Sequence, residues 1–230
     1  MASNASLLKW SGLCAIVYGF LVALSYIASI VGIGYSPVLL SRLDPFQITA
    51  TYANRGFGCS ILIDFLSLPF LFPTLVGIAF YLKEIRQAFS VVGFIFLLVG
   101  SISMMLSCFI RYGVWDVLEN RMMNNSLLME NQILLFHSLA GYLRFMSLPL
   151  LALGYLLWGL GFRRGRRPDR IVGTAFLFVF LSLCLMPLSS SLSLSESSNI
   201  FTMLNTLTIS ASFIMVGRLL RKEETPDNLA

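Results

Sequence analysis

The sequence predicts an all-α protein, a polytopic membrane bundle of six transmembrane helices, on three observations. Hydrophobic residues make up 57% of the 230 residues and charged residues only 12%, well below the roughly 25% of an ordinary globular domain. Long apolar runs recur along the chain, and a helix of about 20 apolar residues crosses a bilayer. Between two of these runs, residues 163–170 contain five arginines, which is typical of a short cytoplasmic loop.

Six apolar runs are long enough to be membrane spans, and their length favours helices over the roughly 10-residue strands of a membrane barrel. The first run is longer than the core of a signal peptide, about 7–15 residues, and we expect it to be retained. We predict a single domain over residues 1–222 and a disordered polar tail over 223–230. The predicted spans are residues 8–34, 57–82, 91–110, 135–162, 171–188 and 200–219.

The basic residues are unevenly divided between the two sides of this predicted bundle. Eleven fall on the side of the arginine-rich loop, three fall in the opposite loops, and two, Arg111 and Arg144, lie at or inside spans. Because cytoplasmic loops carry an excess of Lys and Arg, we predict that both termini are cytoplasmic. We expect an integral protein of a plasma membrane or a bacterial inner membrane.

The net charge of +5 is explained by this topology rather than by nucleic-acid binding. Arginines beside a bilayer attract anionic headgroups. The predicted partners are therefore the lipid bilayer, with anionic lipids at Arg163–Arg170, and a further membrane protein if the chain is a subunit of a complex.

Residues that the sequence lacks exclude several chemistries. The single histidine, His137, rules out a haem held by paired histidines of this chain and the H-E-x-x-H zinc motif. The four cysteines form no C-x-x-C pair, so they indicate neither a redox site nor a disulfide framework. Phosphate-loop and nucleophile-elbow motifs are missing as well. We predict no cofactor and no metal, and no motif supports an enzyme.

Ionisable residues inside membrane spans are rare and indicate functional sites. Asp64 lies on a polar stripe of the second span, and Arg111 ends a stripe of small residues in the third. His137 and Arg144 share one face of the fourth span. Because small and polar residues line helix contacts in membranes, we predict that all four side chains face the interior of the bundle.

Two of these residues are predicted to lie at one depth. With Leu82 and Gly161 taken as inner ends, Asp64 and Arg144 both lie about 26 Å outward at 1.5 Å per residue. That depth is in the outer part of a hydrocarbon core about 30 Å thick, and we expect Asp64 and Arg144 to be within ion-pair distance. The candidate ligand-binding residues, the last two nearer the outer surface, are Asp64, Arg144, Arg111 and His137.

Functions of three classes remain open at this point. Two arginines against one aspartate favour a small transporter or ligand-binding membrane protein with an outward-facing polar pocket for an anionic or amphiphilic ligand. The alternative is a structural or accessory subunit of a membrane complex, in which Asp64 and Arg144 only fix the packing, Arg111 extends to the headgroups and His137 bonds a carbonyl. The third is a membrane enzyme acting on lipids, for which the sequence supplies few reactive groups.

The stretch Leu-Ala-Leu-Gly-Tyr-Leu at residues 151–156 is followed by a basic turn and then by Ile171-Val172-Gly173. It resembles the fourth and fifth helices of uncharacterised six-helix bacterial integral membrane proteins, a domain of unknown function. The resemblance implies a six-helix membrane fold. No chemistry is assigned to such proteins, so it implies nothing about the site residues.

Overall fold

The computed structural model describes residues 2–33, 55–121, 127–191 and 195–222, and within these ranges it contains helices and no strand. The predicted all-α class is therefore confirmed, whereas the predicted tail at 223–230 lies outside the described residues. The helices are α1 (Ala2–Ile33), α2 (Arg55–Arg121), α3 (Leu127–Phe162), α4 (Arg167–Ser191) and α5 (Ser195–Lys222).

Each of these five helices contains a stretch long and apolar enough to cross a membrane. Their surfaces are also those of a membrane protein. Large apolar side chains such as Phe20, Phe145 and Phe178 are exposed, whereas Ser11 and Ser60 are buried at helix contacts. Lipid solvates the apolar exterior, and small polar residues allow helices to pack closely inside it. These features are compatible with a multi-pass integral membrane protein.

The helix α2 is broken once. It contains 67 residues and includes two of the predicted spans, and its backbone is non-helical at Arg86, where φ is −158° and ψ is 94°. The Ser90 hydroxyl donates a hydrogen bond to the Ala79 carbonyl oxygen at 2.6 Å, although continuous helix would hold these residues about 16 Å apart. The rings of Phe65 and Phe109 have centroids 5.0 Å apart. The chain therefore folds back at Arg86.

We call residues 55–85 the first arm of α2 and residues 87–121 its second arm. The two arms lie antiparallel, and the reversal falls between the predicted spans 57–82 and 91–110. Among the described residues the structure thus has five helices that could cross a membrane where the sequence predicts six. The numbers differ because two predicted spans lie in α2, whose two helical arms are joined at the non-helical Arg86.

The helix α1 packs against both the first arm and α5, which brings the first and last described helices together. The Ser25 hydroxyl of α1 donates to the Ser60 carbonyl oxygen of the first arm at 3.2 Å. Against α5, a Cβ added at Gly12 would lie 2.8 Å from the Gly217 carbonyl oxygen. Only glycine permits such a close approach of two helix backbones.

The other neighbours along the chain also pack side by side: the second arm on α3, α3 on α4, and α4 on α5. The Ser107 hydroxyl of the second arm donates to the Ala140 carbonyl oxygen of α3 at 2.8 Å. The Ser182 hydroxyl of α4 is 2.6 Å from the Asn205 side-chain oxygen of α5. Together with the contact between α1 and α5, these pairs close the described segments into a ring.

The two ends of this bundle differ in their cores. We call the end that contains residues 163–165 and the reversal at Arg86 the arginine end, and the other, near Asp64, the opposite end. The core towards the arginine end is aromatic: Trp158, Phe162 and Phe176 are fully buried, and the Phe176 ring centroid lies 5.8 Å from that of Phe162. The Trp158 indole N–H donates to the Ser90 carbonyl oxygen at 3.3 Å and ties α3 to the second arm.

Candidate functional site

The structure supports the common depth that the sequence predicts for Asp64 and Arg144. A Cβ added at Gly161 would lie 3.2 Å from the Leu82 side chain, so the two positions taken as inner ends are in contact. Asp64 and Arg144 precede this contact by similar numbers of residues, on two segments that both run towards the arginine end. Both side chains are half-buried, and they lie near the opposite end of the bundle.

Asp64 interacts with a residue of α1 as well as with a residue of its own helix. The Ser25 hydroxyl lies within hydrogen-bonding reach of the Asp64 carboxylate as well as of the Ser60 carbonyl oxygen. The Asp64 backbone carbonyl accepts a further hydrogen bond from Ser67 at 2.7 Å.

Arg111 and Arg144 belong to the same electrostatic cluster as Asp64. Both guanidinium groups attract the carboxylate, and each lies within electrostatic range of the other. In the part of the chain that the structure describes, no direct ion pair of 4.0 Å or less joins Asp64 to either arginine. The attraction therefore acts across a gap, and the ion-pair contact predicted for Asp64 and Arg144 is not formed. With all three groups ionised, the cluster has one positive charge in excess.

Arg111 is only 9% exposed, and the second arm holds it over an aromatic ring of the first arm. The carbon at the centre of its guanidinium lies 5.7 Å from the centroid of Phe57, which is fully buried. A cation over a ring face is attracted by the ring quadrupole. This contact favours the predicted inward direction of Arg111 over an extension towards the headgroups.

His137 is buried, with 7% of its surface exposed, as predicted for an inward-facing residue. It lies on α3 about two turns from Arg144 and has an interaction partner of its own. Among the described residues, the cations that act on Asp64 are Arg144 and Arg111, not His137. The structure thus brings three of the four candidate residues together and leaves the fourth beside them.

Sequence reasoning missed the contribution of α1, whose apolar span has no charged residue apart from Lys9 at its start. Besides Ser25, Tyr18 lies within electrostatic range of Asp64, and Ser29 lies one turn beyond Ser25. The Ser29 side chain is 2% exposed, and its hydroxyl oxygen is buried with no hydrogen-bond partner among the described residues. The helical spacing of Ser11, Ser25 and Ser29 is the signal that could have identified this polar face.

A fully buried carboxylate lies at the arginine end. Asp169 is 1% exposed; it accepts hydrogen bonds from the Tyr81 hydroxyl and from the Arg166 backbone N–H, both at 2.7 Å. The bond to Arg166 satisfies a free N–H at the start of α4 in the manner of a capping box. A Cβ added at Gly165 would collide with this carboxylate. Through these two hydrogen bonds, Asp169 connects the arginine-rich loop to the first arm.

Within the described ranges, no three His, Cys, Asp or Glu side chains come together as metal ligands would. No protein family, no curated protein and no solved structure matches this chain. The resemblance to six-helix bacterial membrane proteins stays a prediction, and the chain's function has to be argued from its own residues.

Proposed function

We propose that this chain crosses the membrane six times and binds the anionic group of an amphiphilic ligand at Asp64, Arg111 and Arg144. In this proposal each arm of α2 is one crossing, because each exceeds the roughly 20 residues that a span requires. The arginine end faces the cytoplasm, as expected for a loop with five arginines. The cluster then lies in the outer half of the membrane.

The excess positive charge of the cluster is the main observation that supports an anionic ligand. Two guanidinium groups and one carboxylate from three segments act on one another near the opposite end of the bundle. An uncompensated charge at the membrane centre costs about 2.5–3.5 kcal/mol on insertion scales, and less nearer the interface. A carboxylate or phosphate group would neutralise that excess, and guanidinium groups bind such groups through paired hydrogen bonds.

The buried hydroxyl of Ser29 supports the same proposal. Buried polar atoms are nearly always hydrogen-bonded, and an exception calls for a water or a ligand. Ser29 lies one turn from Ser25, whose hydroxyl reaches the Asp64 carboxylate. A polar group bound beside the cluster would therefore find a donor ready at Ser29.

Binding can be tested with dansyl-labelled undecanoic acid, and with its methyl ester as the uncharged control, on protein purified in a neutral detergent. We expect the acid to bind more tightly than the ester, as measured by dansyl fluorescence. Arg111→Gln and Arg144→Gln should each weaken binding of the acid about tenfold, because a charge-assisted bond is lost. Arg218→Gln, at an exposed site on α5, is the control. Equal binding of acid and ester, or an unchanged affinity in Arg144→Gln, would refute the proposal that the cluster binds an anionic group.

The number of crossings can be tested separately with single cysteines at exposed positions, in a background without the native cysteines. Six crossings place Ser6→Cys and Arg164→Cys on one side of the membrane and Gln132→Cys on the other. If α2 crossed only once, positions 6 and 164 would lie on opposite sides. A membrane-impermeant maleimide applied to intact cells should label position 132 alone. Arg164 is used because a side chain at Gly165 collides with Asp169.

The accessory-subunit alternative has an observation in its favour. The Arg111 guanidinium already lies over the Phe57 ring, and the Asp64 carboxylate already has the Ser25 hydroxyl. In that alternative the cluster only stabilises packing, and the chain docks on another membrane protein. The dansyl probe would then bind no better as the acid than as the ester.

A further inference from the structure

A groove opens to the lipid between α4 and α5 at the arginine end. Its volume is about 420 Å³, and it is lined by Arg167, Arg170, Ile171, Ala175, Phe178 and Met215, among others. It lies far from Asp64, so nothing in the buried cluster accounts for it.

The groove is charged at its mouth and apolar along its length. Arg167 and Arg170 lie on the first turn of α4, where that helix leaves the loop. From Arg167 to Phe178 the helix rises about 16 Å, close to half of a hydrocarbon core about 30 Å thick. An apolar channel of this length, with cations at the interface, fits one acyl chain of one leaflet.

The charges at the mouth are not neutralised from within the loop. The acidic side chain closest in sequence, Asp169, is buried and accepts hydrogen bonds from Tyr81 and Arg166. Arg167 and Arg170 are exposed. This face of the loop therefore attracts anions.

Hydrogen bonds inside the loop order the groove. The Arg170 Nε donates to the Gly165 carbonyl oxygen at 3.2 Å, which fixes the guanidinium and leaves its two terminal nitrogens for a ligand. Further along, the Thr174 hydroxyl donates to the Arg170 carbonyl oxygen at 2.8 Å. Since that hydroxyl is satisfied within α4, the groove below the arginines offers mainly apolar contacts.

We propose that this groove binds one anionic phospholipid, with its phosphate at Arg167 and Arg170 and one acyl chain along Ile171, Ala175 and Phe178 as far as Met215. General attraction between a basic loop and an anionic bilayer does not depend on which arginines are present. A built site does. Arg163 and Arg164 are exposed arginines of the same loop outside the groove, so they provide a matched control.

The test is native mass spectrometry of the full chain in a neutral detergent, titrated with dioleoyl phosphatidylglycerol or dioleoyl phosphatidylcholine. We expect one phosphatidylglycerol to bind at least about tenfold more tightly than phosphatidylcholine. The double variant Arg167→Gln/Arg170→Gln should remove this preference, whereas Arg163→Gln/Arg164→Gln should change it less than about twofold. Equal losses in the two double variants overturn the proposal in favour of diffuse attraction.

A second variant tests the acyl chain without changing any charge. Ala175→Trp fills the groove on a half-exposed surface of α4, so the fold should melt as in the parent protein. We expect it to weaken phosphatidylglycerol binding at least about fivefold by excluding the chain. Unchanged phosphatidylglycerol binding in Ala175→Trp would refute the proposal that an acyl chain lies in the groove. Displacement of the lipid by millimolar inorganic phosphate overturns the lipid as occupant, because a free anion would then suffice.

Discussion

The two ends of the bundle hold their carboxylates in different ways. At the arginine end, Asp169 accepts two hydrogen bonds of 2.7 Å, from Tyr81 and from Arg166. At the opposite end, Asp64 is coupled to two arginines without direct contact, and Ser29 has a buried hydroxyl with no partner among the described residues. Direct hydrogen bonds fix one arrangement of the chain, whereas charges coupled without direct contact constrain it less and, in the proposed function, are neutralised by a ligand. We therefore expect mutations at the arginine end to affect mainly stability, and mutations at the opposite end to affect mainly binding.

The largest expected effect is the loss of the aromatic core. Trp158→Ala should lower the free energy of unfolding by about 3–5 kcal/mol, because it leaves a cavity in the core and removes the hydrogen bond to the Ser90 carbonyl oxygen. Thermal melting in detergent measures this change. The matched control is Trp10→Ala, since Trp10 is 67% exposed and should change stability little. Similar melting temperatures for the two variants would contradict an aromatic core around Trp158.

The next largest effect concerns the link between the first arm and the arginine-rich loop. Tyr81→Phe removes one hydrogen bond from the buried Asp169 carboxylate and should cost about 1.5–3 kcal/mol, as for a bond to a charged group. Tyr142→Phe removes a hydroxyl at a 70% exposed site and serves as the control. Tyr81→Phe should leave dansyl-undecanoate binding unchanged. A loss of binding equal to that in Arg144→Gln would mean that the two ends are not separate in function.

At the opposite end we expect a smaller energetic coupling and a change in binding. Asp64→Asn and Arg144→Gln should each lower the melting temperature, and the double variant should recover much of the loss. The coupling free energy should be roughly 1 kcal/mol, in the lower part of the range for interacting residues, since direct contact is missing. With a ligand site, the double variant regains stability but loses dansyl-undecanoate binding. Additive losses of stability would show that Asp64 and Arg144 are uncoupled.

The smallest effect on stability is expected at Ser29. Ser29→Ala removes a buried hydroxyl that has no partner and should change the free energy of unfolding by less than about 0.5 kcal/mol, or raise it. The same change should weaken binding of the dansyl probe. Ser25→Ala is the comparison, because it removes a donor that is in use and should cost about 1 kcal/mol. A larger loss of stability from Ser29→Ala than from Ser25→Ala would contradict the unpaired hydroxyl.

The helices could be predicted well from the sequence, because a run of apolar residues long enough for a bilayer has few other stable conformations. Each predicted span lies within a helix, apart from Gly34, which is outside the described residues. The ends were harder to predict: α3 begins at Leu127 and not near residue 135. Hydropathy locates the part of a helix that lipid solvates, whereas the helix continues through polar residues at the interface.

The site could be predicted only in part. Asp64, Arg111 and Arg144 could be identified because ionisable residues inside spans, or directly at their ends, are rare. Ser25 was not, because a serine in an apolar helix is common and the pairing of α1 with the first arm is a long-range contact. Asp169 has the same difficulty, since the sequence shows it as one acidic residue in a basic loop and does not show Tyr81 beside it.

The glycine contact between α1 and α5 has a consequence for biosynthesis. Gly12 and Gly217 meet at backbone distance, yet α5 is synthesised last of the described helices. Until α5 enters the membrane, the glycine face of α1 lacks its permanent neighbour and is open to other helices, including those of an insertion chaperone. A chain stalled before Ser195 would keep that face exposed to lipid and to membrane quality control.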